Sequence, residues 1–264
     1  MLKKLFKHEM QETGKLLLPL CLIVIAATIL GAVLIQTGIF ANAHLTALPV
    51  VYMILYIFSI ITLFILSAVY LMMRFYKTMY SAEGYLTHTL PVSPSAILNT
   101  KILSALIWLV LVCIICVLSV MTLIFSATNF PSLAELSEIK NAIAEVLDMP
   151  FAAAACLIIF GILIAYLSSI LMVYACLAVG QLFGQYRIPA AIVAYIVFYI
   201  IQQIVSLISL FIFGITAFDN QAIEQMPPSI YRSICLLSVT LFVLFAAAYY
   251  ITCQYITKKK LNLE

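Results

Sequence analysis

Six long apolar runs constrain the fold of this chain more than any other feature of its sequence. Each run is longer than the roughly 20 residues that a helix needs to cross about 30 Å of hydrocarbon. Hydrophobic residues make up 66% of the chain and charged residues only 9%, which is far from the balance of a soluble domain. The sequence therefore predicts an all-α, polytopic membrane protein with six transmembrane helices. The runs cover residues 16–40, 48–73, 102–126, 151–183, 189–218 and 231–256.

The basic residues are distributed unevenly between the connections that join these runs. Only Lys140 and Arg232 fall on one side of the predicted membrane, and the other eleven of the 13 fall on the opposite side. Because Lys and Arg accumulate on the cytoplasmic side, this asymmetry predicts a multi-pass protein of the cell membrane with both termini cytoplasmic. The eleven are Lys3, Lys4, Lys7, Lys15, Arg74, Lys77, Lys101, Arg187, Lys258, Lys259 and Lys260.

The N-terminal segment, residues 1–15, has the pattern of an amphipathic helix. We expect it to lie in the cytosolic interface with its lysines near anionic head groups, ahead of a six-span domain over residues 16–264. A basic flank that only anchors the first span is the alternative interpretation. One face carries Leu2, Leu5, Phe6 and Met10, and another carries Lys3, Lys4, Lys7 and Gln11.

The connection over residues 74–101 is the longest polar-interrupted segment on the basic side. Ser81 can cap a short helix, with Glu83 in its first turn where an acid suits the helix dipole. Pro91 then ends that helix, and a Ser-Pro pair at 93–94 begins the next one. These residues predict a short cytosolic helix suited to docking a partner, or else an ordinary well-capped turn.

The spacing within this connection resembles the E-G-x-L…L-P-V-S…I-L…K-I-L pattern of type-2 ABC exporter permeases. In that family the segment is the coupling helix between spans two and three, and a similar interfacial elbow helix precedes span one. The matching residues are Glu83-Gly84-Tyr85-Leu86, Leu90-Pro91-Val92-Ser93, Ile97-Leu98 and Lys101-Ile102-Leu103.

The resemblance implies the permease subunit of an ATP-driven exporter, which forms the translocation path and is not itself an enzyme. ATP and Mg²⁺ would bind a separate ATP-binding subunit, and this chain would carry no cofactor. A second permease, identical or a sister chain, would complete the path. The residues implied in ATPase coupling are Ser81, Glu83, Gly84, Tyr85, Leu86 and Pro91.

Several chemical motifs are missing from the sequence. There is no G-x-x-x-x-G-K-[ST] loop for nucleotide phosphates and no H-E-x-x-H or G-x-S-x-G catalytic motif. No Asp, Glu, Lys, Arg or His falls in the centre of a predicted span, which argues against an ion-coupled carrier. His8, His44 and His88 are too dispersed to predict a metal site, and no nucleic-acid partner is expected.

Four other features of the sequence carry predictions of their own. Gln202 and Gln203, at the midpoint of span five, favour hydrogen bonds between helices over a place on the substrate path. Cys113-x-x-Cys116 lies in an apolar run, where packing is favoured over redox or metal chemistry.

Residues 128–150 predict a short outer amphipathic helix. The 33-residue fourth run must tilt, project or break, with Gly161 and Gly180 as weak points.

A second class of function fits the same composition. The chain could instead be a non-transporting membrane protein, an immunity or scaffold subunit that binds a peptide or a lipid. The two classes are distinguished by whether an ATP-binding-cassette chain is encoded beside it or copurifies with it. An intramembrane enzyme is a distant third, because the sequence contains no catalytic set.

Overall fold

The computed structural model describes residues 2–41, 47–81, 84, 93–128, 133–217 and 228–259. These residues form seven α-helices and two short 3-10 helices. The α-helices are α1 (Leu2–Gln36), α2 (Ala47–Tyr80), α3 (Pro94–Ala127), α4 (Leu133–Leu147), α5 (Phe151–Gly180), α6 (Arg187–Ala217) and α7 (Pro228–Lys259), and the 3-10 helices are Ile39–Ala41 and Gly184–Tyr186.

Within the described residues, six helices are long and apolar enough to cross a membrane: all of the α-helices except α4. The predicted all-helical, six-span class is therefore confirmed. The helices extend beyond the apolar runs, as α2 does when it continues past Met73 to Tyr80. Polar residues at a membrane surface keep the helical hydrogen bonds, so the end of an apolar run does not end a helix.

The N-terminal segment belongs to α1, which continues through residue 15 without interruption. Lys3, Lys4 and Lys7 are exposed, whereas Glu9 and Thr13 are buried. The lysines of the predicted polar face are thus exposed, while Leu5, Phe6 and Met10 of the predicted apolar face are half-buried. A separate elbow helix lying in the membrane interface stays a prediction.

The helix formed by the overlong fourth run ends at Gly180, which is one of the two predicted weak points of the run. A Cβ atom there would lie 2.6 Å from the carbonyl oxygen of Arg187 and 2.8 Å from the Cβ of Ala191. Only glycine permits this close approach between the end of α5 and the start of α6. Gly161 lies inside the continuous α5, where a Cβ would be 3.2 Å from Val239, so it is a packing position and not a break.

The predicted helix starts and stops are partly confirmed. Ser93 precedes α3 in an extended conformation and Pro94 is its first residue, but the Ser93 side chain makes no capping bond. The helix predicted within residues 128–150 is present as α4, and its outer location stays a prediction. Asp148, with a positive φ of 49°, follows α4 and accepts a 3.1 Å hydrogen bond from Arg232 through its carbonyl.

The chain divides into two compact units. The first consists of residues 1–79 and 86–132, and the second of residues 80–85 and 133–264. In the first unit α1 packs along α3, and in the second α5 packs against both α6 and α7. The apolar centre of the first unit is built from Cys21, Val24, Leu63, Val112 and Cys116.

Large apolar side chains cover the outside of both units. Leu22 and Phe58 in the first unit and Leu207 and Phe211 in the second are each more than half exposed. Such surfaces are unfavourable in water but suit helices surrounded by lipid tails. The exposed apolar surface therefore agrees with the membrane-spanning character of the helices.

Candidate functional site

The predicted ATPase-coupling residues are only partly described. Ser81 is half-buried, Gly84 is buried, and the Gly84 amide donates a 2.7 Å hydrogen bond to the Ser81 carbonyl, which closes a turn after α2. Glu83, Tyr85, Leu86 and Pro91 lie outside the described residues. The coupling helix therefore stays a prediction.

A buried ionic cluster lies in the first unit, at the ends of α2 and α3 that adjoin this connection. Glu9 of α1 accepts a 2.8 Å bond from the Lys101 ammonium through Oε1 and a 3.0 Å bond from the Arg74 Nε through Oε2. Lys101 also donates to the Thr78 hydroxyl at 2.6 Å. We call Glu9, Arg74, Thr78 and Lys101 the Glu9 cluster.

Each member of the Glu9 cluster is positioned by a helix. Arg74 and Thr78 are four residues apart, so both lie on one face of α2. Lys101 lies in the second turn of α3, and Glu9 lies one turn before Thr13, whose hydroxyl donates to the Glu9 carbonyl. The cluster thus connects α1 with both helices that flank residues 81–92.

Burial gives these charges their structural importance. Glu9 is 7% exposed and Lys101 is 5% exposed, while the Arg74 side chain is 18% exposed. Charges withdrawn from water are tolerated only when paired and hydrogen-bonded, and removing one partner of such a pair destabilises a protein strongly. Both carboxylate oxygens of Glu9 are used by the two cations.

Sequence reasoning did not identify Glu9 as a site residue. Lys101 had been placed in the family motif and Arg74 among the cytoplasmic charges, but their common partner lies 92 residues from Lys101. A local signal was present, because Glu9 is the first of four buried residues that follow one another at intervals of four positions along one face of α1. The other three are Thr13, Leu17 and Cys21.

A second polar cluster lies within the apolar part of the first unit. The Ser119 hydroxyl of α3 is 2.5 Å from the Thr28 hydroxyl of α1 and 2.5 Å from the Tyr56 hydroxyl of α2. Thr28 also bonds the Val24 carbonyl at 2.8 Å. These hydroxyls satisfy one another across three helices, so their role is structural.

The two glutamines of span five have different surroundings in the second unit. Gln202 is half-buried and accepts a 3.3 Å hydrogen bond from the Tyr249 hydroxyl of α7, whereas Gln203 is exposed. The ring of Tyr249 stacks on Phe198 at 5.5 Å and on Phe245 at 6.1 Å. This geometry supports the favoured interpretation of Gln202 as a bridge between helices.

Among the described residues, the cysteines form no disulfide and the potential metal ligands form no metal site. All seven cysteines lie in the described part of the chain and are free thiols, and Cys116 packs in the apolar centre with Cys21. Among the described residues, no group of three His, Cys, Asp or Glu side chains could hold a metal ion. The position of Cys116 supports the packing interpretation of the Cys113-x-x-Cys116 pair.

The chain was compared with protein-family models, with curated proteins and with solved structures, and none of them matches it. The resemblance to ABC permeases therefore depends on the motif residues and on the helical layout.

Replacing Glu9 by glutamine is expected to lower the thermal stability of the detergent-solubilised protein. The change leaves Lys101 and Arg74 without their buried counter-charge, and breaking a buried pair in this way costs about 3–5 kcal/mol. The control is Glu12→Gln, one turn away, which removes the exposed pair between Glu12 and Lys15. Equal melting temperatures for the two variants would contradict a structural role for the Glu9 cluster.

Replacing Gln202 by leucine is expected to destabilise the protein by about 1 kcal/mol, through loss of one hydrogen bond between α6 and α7. Gln203→Leu is the matched control and should leave the melting temperature unchanged, because Gln203 is exposed. Tyr249→Phe should reproduce the effect of Gln202→Leu, and the double variant should add little to either. Independent, additive effects would exclude the bridge.

Proposed function

We propose that this chain is the permease subunit of an ATP-driven ABC exporter. It works with a separate ATP-binding subunit, which carries ATP and Mg²⁺, and with a second permease that is either a copy or a sister chain. The proposal is supported by six long apolar helices and by the motif between α2 and α3. The passage for cargo lies between the two permeases.

The observation that carries the proposal is the position of the Glu9 cluster. Arg74 lies near the C-terminal end of α2 and Lys101 near the N-terminal end of α3, the two helices that flank the motif segment. Glu9 binds both side chains. Lys101 is itself the lysine of the K-I-L part of the motif. The motif segment is joined to α2 and α3, and Glu9 connects both of these helices to α1, so a force on the segment acts on all three helices.

This geometry suggests how ATP hydrolysis could move the permease. In this proposal residues 81–90 are the predicted coupling helix, which seats in a groove of the ATP-binding subunit. Glu83 pairs with a donor of that subunit, Tyr85 and Leu86 supply apolar contacts, and Gly84 permits close approach. Closure of the ATP-binding subunits then moves α1, α2 and α3 as one body, because packed helices shift rather than deform.

The proposed topology places the coupling segment in the cytoplasm and α4 outside. Single cysteines replace Ser93 and Ser137, both exposed, in a variant from which the seven native cysteines have been removed. A membrane-impermeant maleimide should label the cysteine at 137 in intact cells. It should label the cysteine at 93 only after permeabilisation. Labelling of position 93 from outside would overturn the proposal, because ATP is hydrolysed in the cytoplasm.

The function itself is tested by searching for an ATP-binding-cassette chain encoded beside this one and coexpressing the two. The two chains should copurify, and Glu83→Lys should reduce the recovered ATP-binding subunit by about tenfold, the equivalent of about 1.4 kcal/mol. Glu138→Lys makes the same charge reversal on the exposed surface of α4 and should have no effect.

Two results would contradict the proposal. If the unmodified chain holds no ATP-binding subunit, the non-transporting scaffold or immunity protein becomes the better interpretation. If Glu83→Lys assembles and supports ATP hydrolysis coupled to transport as the unmodified protein does, Glu83 is not a coupling residue.

A further inference from the structure

A long groove runs along α1 in the first unit and has Trp108 of α3 as part of its wall. Its volume is about 650 Å³. Lys7, Gln11 and Lys15 line one end, four residues apart, and Leu18, Pro19 and Leu22 line the other. The groove therefore changes from cationic and polar to apolar along a single helix face.

The length of this groove matches one leaflet of a bilayer. From Lys7 to Leu22 is fifteen residues, or about 22 Å along a helix that rises 1.5 Å per residue. Half of a bilayer that is about 40–45 Å thick, head groups included, is nearly the same length. A head group at the lysines would thus leave an acyl chain lying along Leu18 and Leu22.

The charge at the polar end selects an anionic head group. Lys7 is exposed, and the Lys15 side chain is 71% exposed even though it pairs with Glu12. Lys3 and Lys4 precede this end on the same helix and are also exposed. We propose that the groove, which we call the α1 groove, binds an anionic phospholipid, with its phosphate at Lys7 and Lys15 and one acyl chain against Leu18, Leu22 and Trp108.

This site does not depend on the exporter function. It requires only that α1 and α3 are in a membrane, and it fits one lipid molecule better than a peptide. A peptide backbone would need hydrogen-bond partners along its length. The apolar end of the groove is formed by Leu18, Pro19, Leu22 and Trp108, whose side chains offer almost none.

The chain contains one tryptophan, and it lies in this wall. Trp108 is 4% exposed, and because it forms part of the groove wall, a lipid in the α1 groove lies close to its ring. Quenching of its fluorescence by lipids brominated along the acyl chain therefore reports occupancy of the groove.

The experiment uses the full chain reconstituted in vesicles of phosphatidylcholine with brominated phosphatidylglycerol or brominated phosphatidylcholine. The quenching curves give an association constant for each brominated lipid. The constant for the anionic lipid should be about fivefold higher or more than that for phosphatidylcholine. Each lysine near a membrane surface contributes about fivefold at low salt. Lys7→Gln combined with Lys15→Gln should bring the ratio towards one, and added salt should lower it in the unmodified protein.

The controls separate the groove from other sources of charge. Lys140→Gln removes an exposed lysine on α4 and should leave the ratio unchanged. Glycerol phosphate in solution should not compete, because it has no acyl chain. An equal affinity for both lipids, a preference that survives the double lysine change, or a preference abolished by glycerol phosphate would each overturn the proposal. Unchanged melting temperatures show that the variants are folded.

Discussion

The first unit depends on polar bonds between its helices. The most important of these bonds are in the Glu9 cluster, where charged groups from three helices meet. Lipid tails are as apolar as leucine, so the hydrophobic effect gives helices little reason to choose one register over another. Bonds between polar groups do specify a register. The Glu9 cluster fixes one end of α1, α2 and α3, and the hydroxyl of Ser119 joins Thr28 to Tyr56 further along. Near the opposite end Ser126 donates to the Ala32 carbonyl at 3.1 Å. These ties are distributed along the whole contact between α1 and α3.

In the second unit helices approach closely at glycine: Gly161 faces Val239, and Gly180 faces Ala191. The first unit has a similar approach at Gly31, which faces Tyr52. Close backbone approach increases dispersion contacts, which drive helix association where no water is displaced. A polar bond adds to this packing, the 3.3 Å hydrogen bond from the Tyr249 hydroxyl to Gln202.

The sequence predicts the number and type of the helices but not the cluster that connects them. Apolar runs specify spanning helices through length alone, and for this reason all six were predicted. The helices continue beyond the predicted spans where polar residues keep the helical hydrogen bonds, as at Arg74 in α2. The pairing of Glu9 with Lys101 joins positions 92 residues apart, and hydrophobic periodicity carries no information about such partners. Gly180 is predicted as a weak point because glycine weakens a helix, and the structure adds the reason that glycine is needed there, the nearby backbone of Arg187.

The basic residues of the first unit fall into two physical classes that a charge count does not separate. During insertion all of them face water, so all contribute to the orientation of the chain. Once the helices pack, Arg74 and Lys101 share the carboxylate of Glu9 and are withdrawn from the surface. Lys3, Lys4 and Lys7 stay exposed and continue to act on their surroundings. Folding thus divides the basic residues into a pair that is bound by Glu9 and a group that stays exposed. Glu9 and the exposed lysines lie on α1 within two turns of each other, so the helix segment that binds α2 and α3 is also the one that presents these charges to its surroundings.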